Sequence, residues 1–174
     1  GYISEHTGYH HGEASLHAAI TAMAQDFVGS NNINLFLPKG DFGTRLAGGE
    51  DAASPRYIHT LLNPLCKKIF NEHDSGIYNY VKDDGDTVEP VFYAPIIPMI
   101  LINGSKGIGT GWSTTIYPCN PLEVCQNIKR ILAGKETTKM APWIRNFSGV
   151  IEQLDKHSYA IHAVYEVGDD WIHV

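Results

Sequence analysis

Two glycine-rich stretches constrain this chain most, one through Gly40, Gly43, Gly48 and Gly49 and one from Asn103 to Gly111. Glycine loses more conformational freedom on folding than any other residue, so neither stretch favours a regular element, and each reads as a loop. No internal repeat or low-complexity tract relates them. The longest apolar run, Ala94 to Ile102, is broken by Pro95 and Pro98 and falls well short of the roughly 20 residues that span a bilayer. With 43% apolar residues the composition is that of an ordinary soluble domain, and no membrane partner is expected. Cys66, Cys119 and Cys125 form an odd set without CxxC spacing, which points to reduced thiols in an intracellular setting and away from zinc. Gly1 to His11 has neither an initiating Met nor the layout of a secretory signal, so the chain reads as a piece of a longer protein.

Between the loops the periodicity is legible. Leu16, Ile20, Met23 and Phe27 recur at three and four residues, which predicts an amphipathic helix from Glu13 to Val28 with Gly29 as its stop. Ile33 to Leu37 reads as a short strand ended by Pro38. Asn63 followed by Pro64 supplies a helix start for Leu65, Ile69 and Phe70. The acidic stretch from Asn71 to Glu89 reads as a solvated hairpin or loop turning at Asp83-Asp84-Gly85-Asp86. Met99 to Ile102 reads as a buried strand. Asn120, Pro121 and Glu123 form a capped helix start, continued by Leu122, Cys125, Ile128 and Leu132 up to Gly134. Alternation in Tyr159, Ile161 and Ala163 and again from Trp171 to Val174 predicts strands.

Three stretches carry a family likeness in their order and spacing. They are Tyr9-His10-His11-Gly12-Glu13, then Phe42-Gly43-Thr44-Arg45 leading to Arg56-Tyr57-Ile58, and Pro98 to Gly104 leading to Gly107-Ile108-Gly109-Thr110-Gly111-Trp112-Ser113. Together they resemble type IIA DNA topoisomerases. The His-His-Gly-Glu form with Gly-Trp-Ser is similar to the eukaryotic and large-virus branch rather than to the bacterial gyrase A subunit. The resemblance implies an α+β chain: a partial winged-helix domain over residues 1–94, followed by the start of a mixed α/β tower domain over 95–174. It implies double-stranded DNA as partner, a homodimer in the full-length enzyme, and an intracellular location, nuclear for a cellular eukaryote or in the host cell for a virus. Mg2+ and ATP would serve the full-length enzyme at sites outside this chain, so the isolated fragment is expected to be inactive.

A tyrosine hydroxyl titrates near pH 10, so at neutral pH only about one in a thousand is ionised, and a nucleophilic tyrosine needs help. Arg56 stands beside Tyr57, and a guanidinium offers permanent charge and forked donors to a phosphate that gains charge during attack. The resemblance assigns Tyr57 as the nucleophile, Arg56 to transition-state stabilisation and His11 to phosphate contact. His10, Ser15, Lys39 and Arg45 are further DNA-backbone candidates, which would position a duplex without reading its sequence. Ile108 matches an apolar wedge that enters between base pairs.

No metal site is expected within the chain. His-His-Gly-Glu lacks the one-turn spacing of HExxH, and Asp84-Gly85-Asp86 lies in a hydrophilic turn. The glycine stretch at 107–111 fails as a nucleotide loop, because Lys106 is followed by glycine and Trp112 occupies the last glycine position of GxGxxG. The formal net charge of −6 opposes DNA binding overall, yet Lys39, Arg45, Arg56, Lys67 and Lys68 surround the tyrosine segment. Two charges depart from the family pattern: Glu50 stands where lysine is usual, and Lys106 where an acid is usual. Position 50 is therefore not counted as a contact. The rival reading is a non-catalytic winged-helix DNA-binding module, which accounts for the basic residues but not for Arg56-Tyr57 with His10-His11.

Overall fold

The computed structural model describes residues 1–173. The chain opens with α1 (Tyr2–Thr7) and α2 (Glu13–Ala24), followed by β1 (Phe36–Lys39), a 3-10 turn at Pro55–Tyr57, β2 (His59–Leu62) and α3 (Cys66–Ile69). A second 3-10 segment, Glu72–Ile77, leads to β3 (Tyr80–Asp83) and β4 (Asp86–Pro90). Then come α4 (Met99–Asn103), β5 (Ser105–Gly109), β6 (Trp112–Ile116), α5 (Pro121–Leu132), β7 (Val150–Gln153), β8 (Tyr159–His162), β9 (Glu166–Val167) and β10 (Ile172–His173). All strands pair antiparallel in two-stranded sheets, β1 with β2, β3 with β4, β5 with β6, β7 with β8 and β9 with β10. The α+β class expected from the sequence holds, although Val174 of the last expected strand lies outside the described residues.

Two small apolar clusters organise the chain. Ala24, Phe42 and Ile58 form the first, with Phe36 and Ala53 packed against it. Ile102, Cys119 and Val124 form the second, supported by Ile33, Ile97, Met99, Leu101, Ile128 and Met140. Between them runs a set of buried asparagines. Asn32 Nδ2 donates to the carbonyls of Ile102 at 2.8 Å and Trp143 at 2.9 Å, while its Oδ1 accepts from the Arg145 N–H at 2.8 Å. Asn103 makes a matching reciprocal pair with the Ile33 backbone, 2.9 Å in each direction. Buried polar groups must be paired, and here the pairing joins segments about 70 to 110 residues apart in sequence.

Several local expectations are corrected by these long-range contacts. The helix expected to run to Val28 stops at Ala24. Gln25 leaves the helical region at ψ 133, its side chain donates to the carbonyls of Phe42 and Gly49, and Asn31 Nδ2 takes up the freed Ala22 carbonyl at 2.7 Å. The strand expected at Ile33 to Leu37 is shifted to Phe36–Lys39, because Asn32, Ile33 and Asn34 are engaged by the asparagine set. Pro38 lies inside β1 opposite Thr60 rather than ending it. The helix expected after Asn63 shrinks to one turn, with Asn63 Oδ1 accepting from the Leu65 N–H at 3.0 Å.

Met99 to Ile102, expected as a strand, is the helix α4, in which Ile102 is fully buried. A short apolar run suits either element, and packing against α5 decides the matter. The loop expected from Asn103 to Gly111 is instead mostly strand β5, turning at Thr110-Gly111 into β6. The expected hairpin after Asn71 is present: Asp84 and Gly85 both adopt positive φ, 47° and 93°, as a two-residue hairpin turn requires. Helix α5 begins as its sequence predicts, with Asn120 Oδ1 accepting from the Leu122 N–H at 2.9 Å.

Replacing Asn32 with alanine leaves two carbonyls and one N–H buried without partners, at roughly 1 kcal/mol or more each. Urea denaturation of Asn32→Ala is expected to show a loss of roughly 3 kcal/mol; a change within about 0.5 kcal/mol, typical of surface substitutions, would contradict the bridging role.

Candidate active site

The tyrosine segment is set from below. Ile58 is buried in the first cluster at the point where a 3-10 turn gives way to extended backbone, and Tyr57 and His59 are exposed on either side of it. Pro55 opens the 3-10 turn, and the Tyr57 N–H closes it onto the Ser54 carbonyl at 2.9 Å. Tyr57 is 72% exposed and Arg56 is exposed beside it. A nucleophile needs this access, and the anchor one residue later limits where the ring can go.

A cleft of about 430 Å3 opens next to the turn, lined by Glu13, His17, Ser54, Pro55 and Arg56. Helix α2 thus contributes a carboxylate and an imidazole to the wall facing Arg56. Glu13 and His17 lie one turn apart on α2, with 3.7 Å between Oε1 and Nε2. Sequence reasoning missed His17, although a Glu–His pair at this spacing beside an apolar stripe was visible. It also missed His59, which pairs in register with Lys39 across the β1–β2 ribbon, two residues beyond Tyr57.

The other sequence-derived candidates are distributed around this core. Ser15 is exposed on the first turns of α2, and Lys39 is exposed at the end of β1. His11 is exposed in the approach to α2, its ring meeting Tyr9 edge-on at 5.5 Å between centroids. His10 is exposed as well, but its Nε2 is 2.8 Å from Asp83 Oδ2 on the β3–β4 hairpin. Among the described residues no hydrogen bond or ion pair links either histidine to Arg56 or Tyr57. Ile108 sits apart, 83% exposed on β5.

Arg45 stands in a loop drawn closed at its neck. Asp51 accepts from both the N–H and the hydroxyl of Thr44 at 2.7 Å, and the Gly49 N–H donates to the Thr44 carbonyl at 2.9 Å. At the neck Gly43 has φ 89°, and a Cβ there would lie 2.7 Å from the Gly49 Cα, so only glycine permits the approach. Arg45 and Leu46 project at the tip. Among the described residues no three His, Cys, Asp or Glu side chains converge as metal ligands. No described helix is long and apolar enough to cross a membrane.

Known proteins are similar to this chain in sequence and in fold. The family model for the A subunit of DNA gyrase/topoisomerase IV matches residues 1–172. The chain is 53% identical to DNA topoisomerase 2 of Acanthamoeba polyphaga mimivirus, covering 100% of the chain and 14% of that protein. It is 51% identical to DNA topoisomerase 2 of Saccharomyces cerevisiae, covering 99% of the chain and 12% of that protein. The crystal structure of the Plasmodium falciparum topoisomerase II DNA-binding, cleavage and re-ligation domain superposes with a TM-score of 0.92 at 46% identity, over 97% of this chain and 23% of that one. The chain therefore spans only a small part of each relative.

The loop neck supplies a pH test. The hydroxyl of Thr44, and then its N–H, hold the Asp51 carboxyl below the usual carboxylate range. A folded-state value below the unfolded one means that the tether is fully present above the ordinary carboxylate pKa of about 3.9, and is lost as pH falls through the lower folded value. NMR titration of the Asp51 carboxyl is expected to show the depressed value in the native chain and a rise toward the ordinary one in Thr44→Val. An unmoved titration would exclude the hydroxyl as the cause.

Proposed function

The chain belongs to the family of the DNA gyrase/topoisomerase IV A subunit, and from that premise we propose that it is the DNA-cleaving segment of a eukaryotic-type topoisomerase II. The observation that supports this reading most is an accessible tyrosine, Tyr57, held directly after Arg56 and directly before a buried anchor. In this reading residues 1–94 belong to the catalytic winged-helix domain and residues 95–174 begin the tower.

The chemistry is an exchange of esters. Tyr57 Oη bonds to a DNA phosphorus while the bond from that phosphorus to the 3′ oxygen breaks, and the proton lost by the phenol is balanced by the one the 3′-hydroxyl gains. A 5′-phosphotyrosyl link stores the bond energy, so attack by the same 3′-hydroxyl reseals the strand. Arg56 neutralises the charge that builds on the phosphate oxygens during each transfer, a stabilisation that acts most strongly in the transition state. His11, with His10, Ser15, Lys39 and Arg45, positions the duplex through its phosphates.

The two chains of a homodimer would cut opposite strands, and passage of a second duplex would change the linking number in steps of two. Magnesium, which polarises phosphate when bound, and ATP both belong to parts of the full-length enzyme outside this chain. An intracellular location, nuclear in a cellular eukaryote, follows from the same reading.

Detergent arrest of the intact dimeric enzyme on duplex DNA tests the assignment. The native protein is expected to be trapped on DNA 5′ ends and Tyr57→Phe to give no adduct, while Arg56→Ala lowers the cleavage rate by about 100- to 1,000-fold. Adducts in Tyr57→Phe would remove the nucleophile assignment. Duplex binding by an intact native protein that never forms an adduct would favour the purely DNA-binding alternative.

A further inference from the structure

The β5–β6 hairpin has an uninterrupted register: Ser105 with Ile116, Lys106 with Thr115, Gly107 with Thr114, Ile108 with Ser113 and Gly109 with Trp112. Cross-strand partners share a face, and successive residues alternate between faces. One face therefore carries Lys106, Ile108, Ser113 and Thr115. Trp112 lies on the other, with Gly107, Gly109 and Thr114. All four residues of the first face are exposed. Among the described residues Lys106 forms no ion pair, with Glu50 or any other acid.

We propose that this face is one DNA-contacting unit, in which Ile108 enters the base stack and Lys106 neutralises a phosphate of the bent duplex. The inference rests on the wedge role proposed for Ile108 and adds a second contact to it. Residues two apart on a strand are separated by about 6.8 Å, about two base-pair rises of 3.4 Å along the duplex axis. A lysine at this offset reaches backbone near the wedge, whereas Trp112 points to the opposite side and leaves the duplex to Ile108. Ser113 and Thr115 add short hydroxyl donors that fit beside an inserted isoleucine without holding it away. Wedge insertion unstacks and kinks the duplex, and a cation beside the wedge offsets phosphate repulsion there. In a chain of net charge −6 that placement gives one lysine unusual influence.

The test uses the intact dimeric enzyme and a duplex labelled at both ends, with affinity measured across a series of salt concentrations and bending read from end-to-end energy transfer. Each neutralised phosphate adds about 0.9 to the slope of log affinity against log salt. Lys106→Gln is expected to reduce the slope by about 0.9 for each phosphate left without its lysine, so that a fourfold rise in salt costs it about 3.5-fold less affinity per phosphate than it costs the native enzyme. Lys106→Arg is expected to keep the native slope, and Ile108→Ala to straighten the DNA. An unchanged slope in Lys106→Gln, with a straightened duplex in Ile108→Ala, overturns the lysine's role and leaves the wedge standing. An unchanged bend in Ile108→Ala removes this hairpin from the duplex and overturns both.

Discussion

The buried amide of Asn32 ties together segments of this chain that are far apart in sequence. Neither apolar cluster is large; the buried members of the first lie between Ala24 and Ile58 and those of the second between Ile102 and Val124, with Ile33 reaching across to the second. One side chain donates to the carbonyls of Ile102 and Trp143 and accepts from the Arg145 N–H, and the Arg145 guanidinium in turn donates to the Asn34 side chain at 3.3 Å and the Asp26 carbonyl at 3.1 Å. In a low-dielectric interior these groups are costly to leave unpaired, so competing arrangements of the two clusters are disfavoured by more than lost apolar burial.

The Arg56-Tyr57 segment depends on that frame at one remove. The end of α2 is fixed where Asn31 and Gln25 gather its last carbonyls and the Phe42–Gly49 loop, and this places Ala24 against Phe42 and Ile58. Ile58 then holds Tyr57 and Arg56 at the surface, with Arg56 lining the cleft that Glu13 and His17 share. The constraint works through short links: the buried Ile58 immediately follows the exposed Tyr57, and Pro55 precedes Arg56. An exposed tyrosine in a long loop would have to lose considerable conformational entropy before reacting.

Charge is used locally rather than globally. Asp83 engages His10, while Asp51 is consumed in closing the loop that presents Arg45. Both acids therefore serve as hydrogen-bond acceptors within the protein. With positions 10 and 83 in contact, the β3–β4 hairpin also braces the approach to α2, a link that neither segment's own sequence encodes.

The sequence by itself determined the elements whose signals are local, together with the family to which the chain belongs. Asn120-Pro121 starts α5, Asp84-Gly85 turns a hairpin, and the spaced motifs around His11, Tyr57 and Ile108 carry the family likeness confirmed by a match over residues 1–172. Tertiary structure alone decided that Met99–Asn103 is a helix, that a glycine-rich stretch pairs as a hairpin, that α2 ends at Ala24, and that His10 meets Asp83. Caps and turns are encoded by residues a few positions apart. The partner that tips an apolar run toward helix, or claims an imidazole, lies tens of residues away and is chosen only when the chain packs.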